Sequence, residues 1–162
     1  MRKSCIDTLY EISNICKEES IEIRENELTE AMNNFLKDSN KWVKISAYKN
    51  LGPFIFTLQD QNINEKLIDS YLHMADSNIN NLSPDNEIIY ACAFNFPAVV
   101  LTLGPARWPL LSKLFQSLLK SNDKIRKPLA CALHEIAKII GEEQTEKDLL
   151  SALESFLKDP SK

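Results

Sequence analysis

The sequence predicts an all-α solenoid, and three observations carry that prediction. Apolar residues step by four, four and three as Val43, Ala47, Leu51 and Phe54, and again as Ile125, Leu129, Leu133 and Ile136. Such spacing lays one stripe along a helix and lacks the alternation of a strand. The string FLKD at Phe35 returns at Phe156, 121 residues later, which is three periods of about 40. Leu28, Leu67, Leu110 and Leu149, each in the first helix of a successive pair, lie 39, 43 and 39 residues apart. A simple bundle has no reason to keep such a period. A stack of helix pairs does, because each pair buries its apolar surface against its neighbours.

Eight helices are expected. The first, over residues 2–16, keeps the four-four-three frame as Met1, Cys5, Leu9 and Ile12, with Arg2 standing where Lys44 and Arg126 stand. A glutamate-rich connector leads to the second, over 24–37, whose stripe is Leu28, Ala31, Met32, Phe35 and Leu36. The third, over 40–58, contains Pro53, which removes a hydrogen bond and bends the helix. After a polar link at 59–63, Asn64 caps the fourth, with Leu67, Ile68, Tyr71, Leu72 and Ala75 facing inward.

Residues 77–86 hold the Asn, Ser, Asp and Pro of the longest expected loop. The fifth helix, over 85–103, has Pro97 as a second kink and stops at Gly104-Pro105. The sixth, over 107–120, carries Leu110, Leu111, Leu114, Phe115, Leu118 and Leu119. The seventh, over 123–140, ends at Gly141, and the eighth starts at a capping box of Thr145 and Asp148.

One domain over 1–162 is therefore expected, with three full repeats at about 24–58, 64–103 and 107–141. Half repeats at 2–16 and 145–158 flank them. Neither end has the polar outer face of a solenoid cap, so the chain is expected to be a piece of a longer array. Self-association or marginal stability should follow.

With 44% hydrophobic residues in 162, the chain can bury a sizeable core. Its net charge of -4 disfavours a nucleic-acid backbone as partner. Charge is uneven, however: residues 18–30 balance to -5 and residues 113–127 to +4. Cys5, Cys16, Cys92 and Cys131 form no CxxC pair and read as reduced core thiols. No apolar run suggests a membrane span, and residues 1–16 lack a signal-peptide pattern, so an intracellular chain without a membrane partner is expected.

Catalytic patterns are missing from the sequence. His73 and His134 have no second histidine at metal-ligand spacing, and there is no phosphate loop, GxSxG or CxxC string. His134 stands in the frame where Gly52 stands and reads as structural or surface polar. No enzyme, metal or cofactor is therefore expected. Trp42 lies at the turn within a pair and is either a packing plug or a partner anchor, whereas Trp108 reads as packing. Asp38, Lys44, Asp123 and Arg126 suggest a ladder of ion pairs along neighbouring turns.

The frame of Asp38, Val43-Lys44, Ala47 and Leu51 resembles the HEAT repeat, the HEAT/armadillo-like superhelix of all-α solenoids. More narrowly, four strings resemble the HEAT-repeat regulatory subunits of serine/threonine protein phosphatase 4. They are RKSCIDTLYEIS from Arg2, KWVKISAYKNLGPFI from Lys41, AFNFPAVVLTLG from Ala93 and LACALHEIAKIIGEEQTEKDL from Leu129. Members of that family often carry a long acidic insert after the LGPFI helix, where this chain has only the link at 59–63.

The resemblance implies a non-catalytic scaffold that binds and modulates a phosphatase catalytic subunit, in the cytoplasm and also the nucleus, with phosphatase substrates as further partners. In related scaffolds the turns within pairs carry subunit contacts, which points here to Asn40, Lys41, Trp42, Asn86, Glu87, Asn122 and Lys124. A HEAT-repeat transport or assembly adaptor is the alternative. A HEAT-like DNA glycosylase would need a basic, aromatic-lined face, which the net charge disfavours.

Overall fold

The computed structural model describes residues 1–16, 22–58 and 63–158. The polar link at 59–62, the middle of the glutamate-rich connector at 17–21 and the final residues 159–162 lie outside them. In order come α1 (Arg2–Ile15), a π-helical turn (Ile23–Leu28) running directly into α2 (Thr29–Leu36), α3 (Lys41–Thr57) and α4 (Glu65–Leu72). After them come α5 (Ser77–Asn80), α6 (Glu87–Leu103), α7 (Trp108–Leu119), α8 (Asp123–Ile140) and α9 (Glu142–Gln144). A second π-helical turn (Thr145–Leu149) then enters α10 (Leu150–Leu157). All eight expected helices are present, and the short segments α5 and α9 are additional.

Asparagine starts three of the helices. The Asn40 side chain accepts from the backbone of Trp42 at 2.9 Å and Val43 at 3.4 Å, Asn64 from Lys66 at 2.9 Å, and Asn122 from Ile125 at 3.2 Å. Each bond satisfies an amide that the helix leaves without a partner, worth about 1 kcal/mol. At the other ends, Gly104 (φ 70°) and Gly141 (φ 84°) turn the chain out of α6 and α8 in the region that only glycine enters freely.

The helices form two layers. In one, α1, α3, α6 and α8 lie side by side and parallel, as their cross-links show. Ser46 donates to Asp7 Oδ1 at 2.6 Å and the Ser13 and Thr57 hydroxyls meet at 2.5 Å, so α1 and α3 rise together. Lys49 Nζ reaches Glu87 Oε2 at 2.9 Å and Gly52 abuts Asn95, so α3 and α6 do the same. A Cβ on Gly52 would stand 2.6 Å from that of Asn95, which is why this helix position carries no side chain. The first helices of the pairs, α2, α4, α7 and α10 with its leading turn, make the other layer, joined by Arg107 to Glu65 at 2.8 Å and Trp108 to Asp148 at 2.7 Å.

The core lies between the layers. Val43, Ala47, Leu51 and Phe54 are all buried, as are Ile125, Leu129, Leu133 and Ile136, so the frame that predicted the solenoid also names its interior. Phe96, Trp108 and Phe115 cluster with ring centroids 5.8 to 6.4 Å apart. The Tyr71 hydroxyl donates to the Cys92 carbonyl at 2.8 Å, tying α4 to α6. The stretch Pro84–Leu103 is apolar and long enough to cross a membrane by length and composition alone. Here it packs as a core helix between α3 and α8, burying Ile88, Ile89, Cys92, Phe96, Val99, Val100 and Leu103.

Several expectations are corrected. On α1 the buried residues are Ile6, Leu9 and Ser13, while Met1, Cys5 and Ile12 are exposed, because the polar Ser13 is drawn inward by Thr57. The loop at 77–86 contains α5 and a 3-10 turn, and Asp85 and Asn86 (φ 59° and 58°) make the corner into α6, which starts two residues later than expected. The capping box does not form: Thr145 donates to the Ala137 carbonyl at 3.3 Å and Asp148 serves Trp108. Pro128 lies inside α8 as a third helix proline, beside Pro53 and Pro97. Of the cysteines only Cys92 is buried; Cys5 and Cys131 are exposed and Cys16 is half-buried.

Candidate partner-binding surface

The parallel layer brings the starts of α3, α6 and α8 together along one edge, which places the residues singled out in the sequence. Asn40 and Asn122 are helix caps, so their side-chain oxygens are already engaged by the backbone. Trp42 is 60% exposed, with the Lys41 ammonium 5.9 Å from its ring centre. It is not a packing plug. Trp108, by contrast, is 1% exposed and is packing, as expected.

Asn86 is exposed and its left-handed backbone leads into α6 without a side-chain cap bond. Glu87 follows, and the hydrogen bond and charge of Lys49 hold its carboxyl below the usual range, with Lys124 and Lys3 adding to the effect. Lys124 sets its ammonium 5.8 Å from the Tyr90 ring centre. Part of the ion-pair ladder is present among the described residues. Asp38 pairs with Arg2 at 2.6 Å, one repeat back, and Asp123 pairs with Arg126 within its own helix.

Beside this edge lies a feature that the sequence reading missed, an open groove of about 580 Å³ between α6 and α8. Tyr90 and Phe94 line it from α6; Lys124, Lys127, Pro128, Cys131, Ala132 and Glu135 line it from α8. Tyr90 and Phe94 stack with centroids 6.2 Å apart and planes 22° apart, and Phe94 is 62% exposed. Of the residues singled out beforehand, only Lys124 enters the groove. The signal was present in the frame: Phe94 and Cys131 hold the position of the exposed Lys49. One exposed aromatic is ordinary, but Phe94 stacks on Tyr90 beside Pro128, and it is such a contiguous apolar patch that suits a contact.

Neither histidine lines the groove. His134 is exposed and its Nδ1 lies 3.1 Å from the Cys131 carbonyl. His73, on the other layer, has its pKa raised by the Asp69 carbonyl 2.7 Å away, with smaller help from the Asp69 and Asp76 charges.

Comparison with known proteins shows what the chain is similar to. A family model described as "Protein phosphatase 4 regulatory subunit 1 middle domain" matches residues 92–162. This chain resembles one part of that subunit. Over 96 residues it is 38% identical to serine/threonine-protein phosphatase 4 regulatory subunit 1 of Homo sapiens, and equally so to the proteins of Mus musculus and Rattus norvegicus. The alignment covers 59% of the chain and 10% of each relative, so the chain spans about a tenth of their length. The matched residues include every groove residue except Tyr90.

Proposed function

We propose that the chain is a non-catalytic scaffold segment of a protein phosphatase 4 regulatory subunit, binding and modulating the catalytic subunit in the cytoplasm and nucleus. The identity with the phosphatase 4 regulatory subunits carries this reading. The geometry supports it, because Lys41, Trp42, Glu87 and Lys124 stand exposed along one edge of the parallel layer. A solenoid of this kind acts by shape: it holds a catalytic subunit, and that subunit's substrates, against a surface made of several repeats. No metal, cofactor or nucleic acid enters the reading.

Calorimetry of the whole chain against a phosphatase 4 catalytic subunit, with the phosphatase 2A catalytic subunit for comparison, tests it. Selective, saturable binding that Trp42→Ala weakens while helix content is unchanged is the expected result. A folded chain that binds neither subunit sinks it. A transport or assembly adaptor for basic peptides would want an acidic groove. The observed groove, with Lys124 and Lys127 at one end, does not favour that alternative.

A further inference from the structure

The groove between α6 and α8 is graded in charge along its length. Lys124 and Lys127 stand at the end nearest the α8 N-terminus, Phe94, Pro128, Cys131 and Ala132 occupy the middle, and Glu135 stands at the far end. Both lysines are exposed, and among the described residues neither forms an ion pair. Nearby carboxylates are held by other bases: Glu87 by Lys49 and Asp123 by Arg126. The backbone of the first turn of α8 adds partial positive charge at the same end. A stacked aromatic pair therefore faces water beside two cations that form no ion pair among the described residues.

We propose that this groove docks an extended segment of a partner protein carrying one aromatic or large aliphatic anchor, with carboxylates on the side facing Lys124 and Lys127. The anchor lies against Phe94 and Pro128, where apolar area is open, and the carboxylates meet the two ammoniums. Glu135 repels acidic residues at the opposite end, so the charge gradient sets the direction of the docked chain as well as its composition. This goes beyond the proposed phosphatase contact. It needs only the chain itself, and it shares only Lys124 with the edge proposed to meet the catalytic subunit.

The test is fluorescence anisotropy of a labelled synthetic peptide, one phenylalanine followed by a run of glutamates in a glycine-serine background, titrated with the whole chain. Saturable binding that weakens as salt rises is expected. Lys124→Glu with Lys127→Glu, Phe94→Ala, and glutamine in place of the peptide's glutamates should each weaken it about ten-fold. All three substituted positions are exposed, so circular dichroism should show the helix content unchanged.

Absence of saturation overturns the proposal. So does equal binding of a peptide with alanine in place of phenylalanine, which would mean charge attraction alone. Equal binding by the double lysine variant would put the site elsewhere. Sedimentation showing a dimer broken by the same lysine variant would give the groove to a second copy, through the acidic residues of 18–30, and would also overturn it. Because no phosphatase is present, failure here is distinct from failure of the calorimetric test.

Discussion

The indole nitrogen of Trp108 donates to Asp148 Oδ2 at 2.7 Å, which joins the first helix of one repeat to the start of the next. Trp108 is almost fully buried, so removing the carboxylate takes away the acceptor of a largely buried N–H. Asp148→Ala should then cost about 1–3 kcal/mol, the penalty of a buried donor left without an acceptor. In a Trp108→Phe background, where no donor remains, the same substitution should cost much less. Urea unfolding of the four proteins measures the difference, and equal costs in both backgrounds would show that the bond contributes nothing.

Gly52 and Asn95 set the spacing of α3 and α6. An alanine normally favours a helix over glycine by about 1 kcal/mol, but here its Cβ would collide with a Cβ that no rotamer can move. Gly52→Ala should therefore destabilise the chain, by about 1–3 kcal/mol, as overpacking does. Asn95→Gly should relieve most of that cost in the double variant. A Gly52→Ala protein with a raised unfolding midpoint would mean that the helices separate at no expense.

The thiols should divide into two classes. Burial pushes the Cys92 thiol up to about 12, so at neutral pH it is both protonated and inaccessible. Cys5 and Cys131 are exposed. Brief alkylation followed by mass spectrometry should label Cys5 and Cys131, with Cys92 reacting at least about a thousand-fold more slowly, through unfolding. Labelling of Cys92 alongside Cys131 would contradict the packing of α6.

The Lys49–Glu87 pair gives a pH dependence whose sign follows from the lowered Glu87 value. The folded chain releases that proton more readily than the unfolded chain. The pair's stabilisation is therefore complete above the unfolded carboxylate range and is lost as pH falls through the lowered value. Both side chains are about half exposed, so the effect should stay below about 1 kcal/mol. Carboxyl resonances followed by NMR should show the Glu87 titration returning toward the ordinary range in Lys49→Met. An unchanged titration would assign the shift to other charges.

Legibility in the sequence tracked the range over which each feature is decided. Val43, Ala47, Leu51 and Phe54 could be read because one helix face meets one core, and burial then follows periodicity directly. Asn64, Gly104 and Gly141 could be read because caps and stops are settled within a turn of chain. Ser13 could not, since its burial depends on a hydroxyl 44 residues away. Thr145 and Asp148 have the letters of a local cap, yet the long-range demand of Trp108 took the carboxylate. Asn40 and Asn122 were placed at the right turns but hold their own helices, while the groove is built from Tyr90 and Phe94, two positions that a helical pattern marks only as outward.

The two seams on either side of α6 have unequal mechanical compliance. Against α3 it meets a glycine contact with no free space and a lysine–glutamate cross-link; against α8 it leaves the open groove. Flexing of this array should concentrate at the α6–α8 seam, while α3 and α6 move as one stiff block. An occupant of that seam would act as a wedge, converting local occupancy into a change of curvature for everything beyond α8.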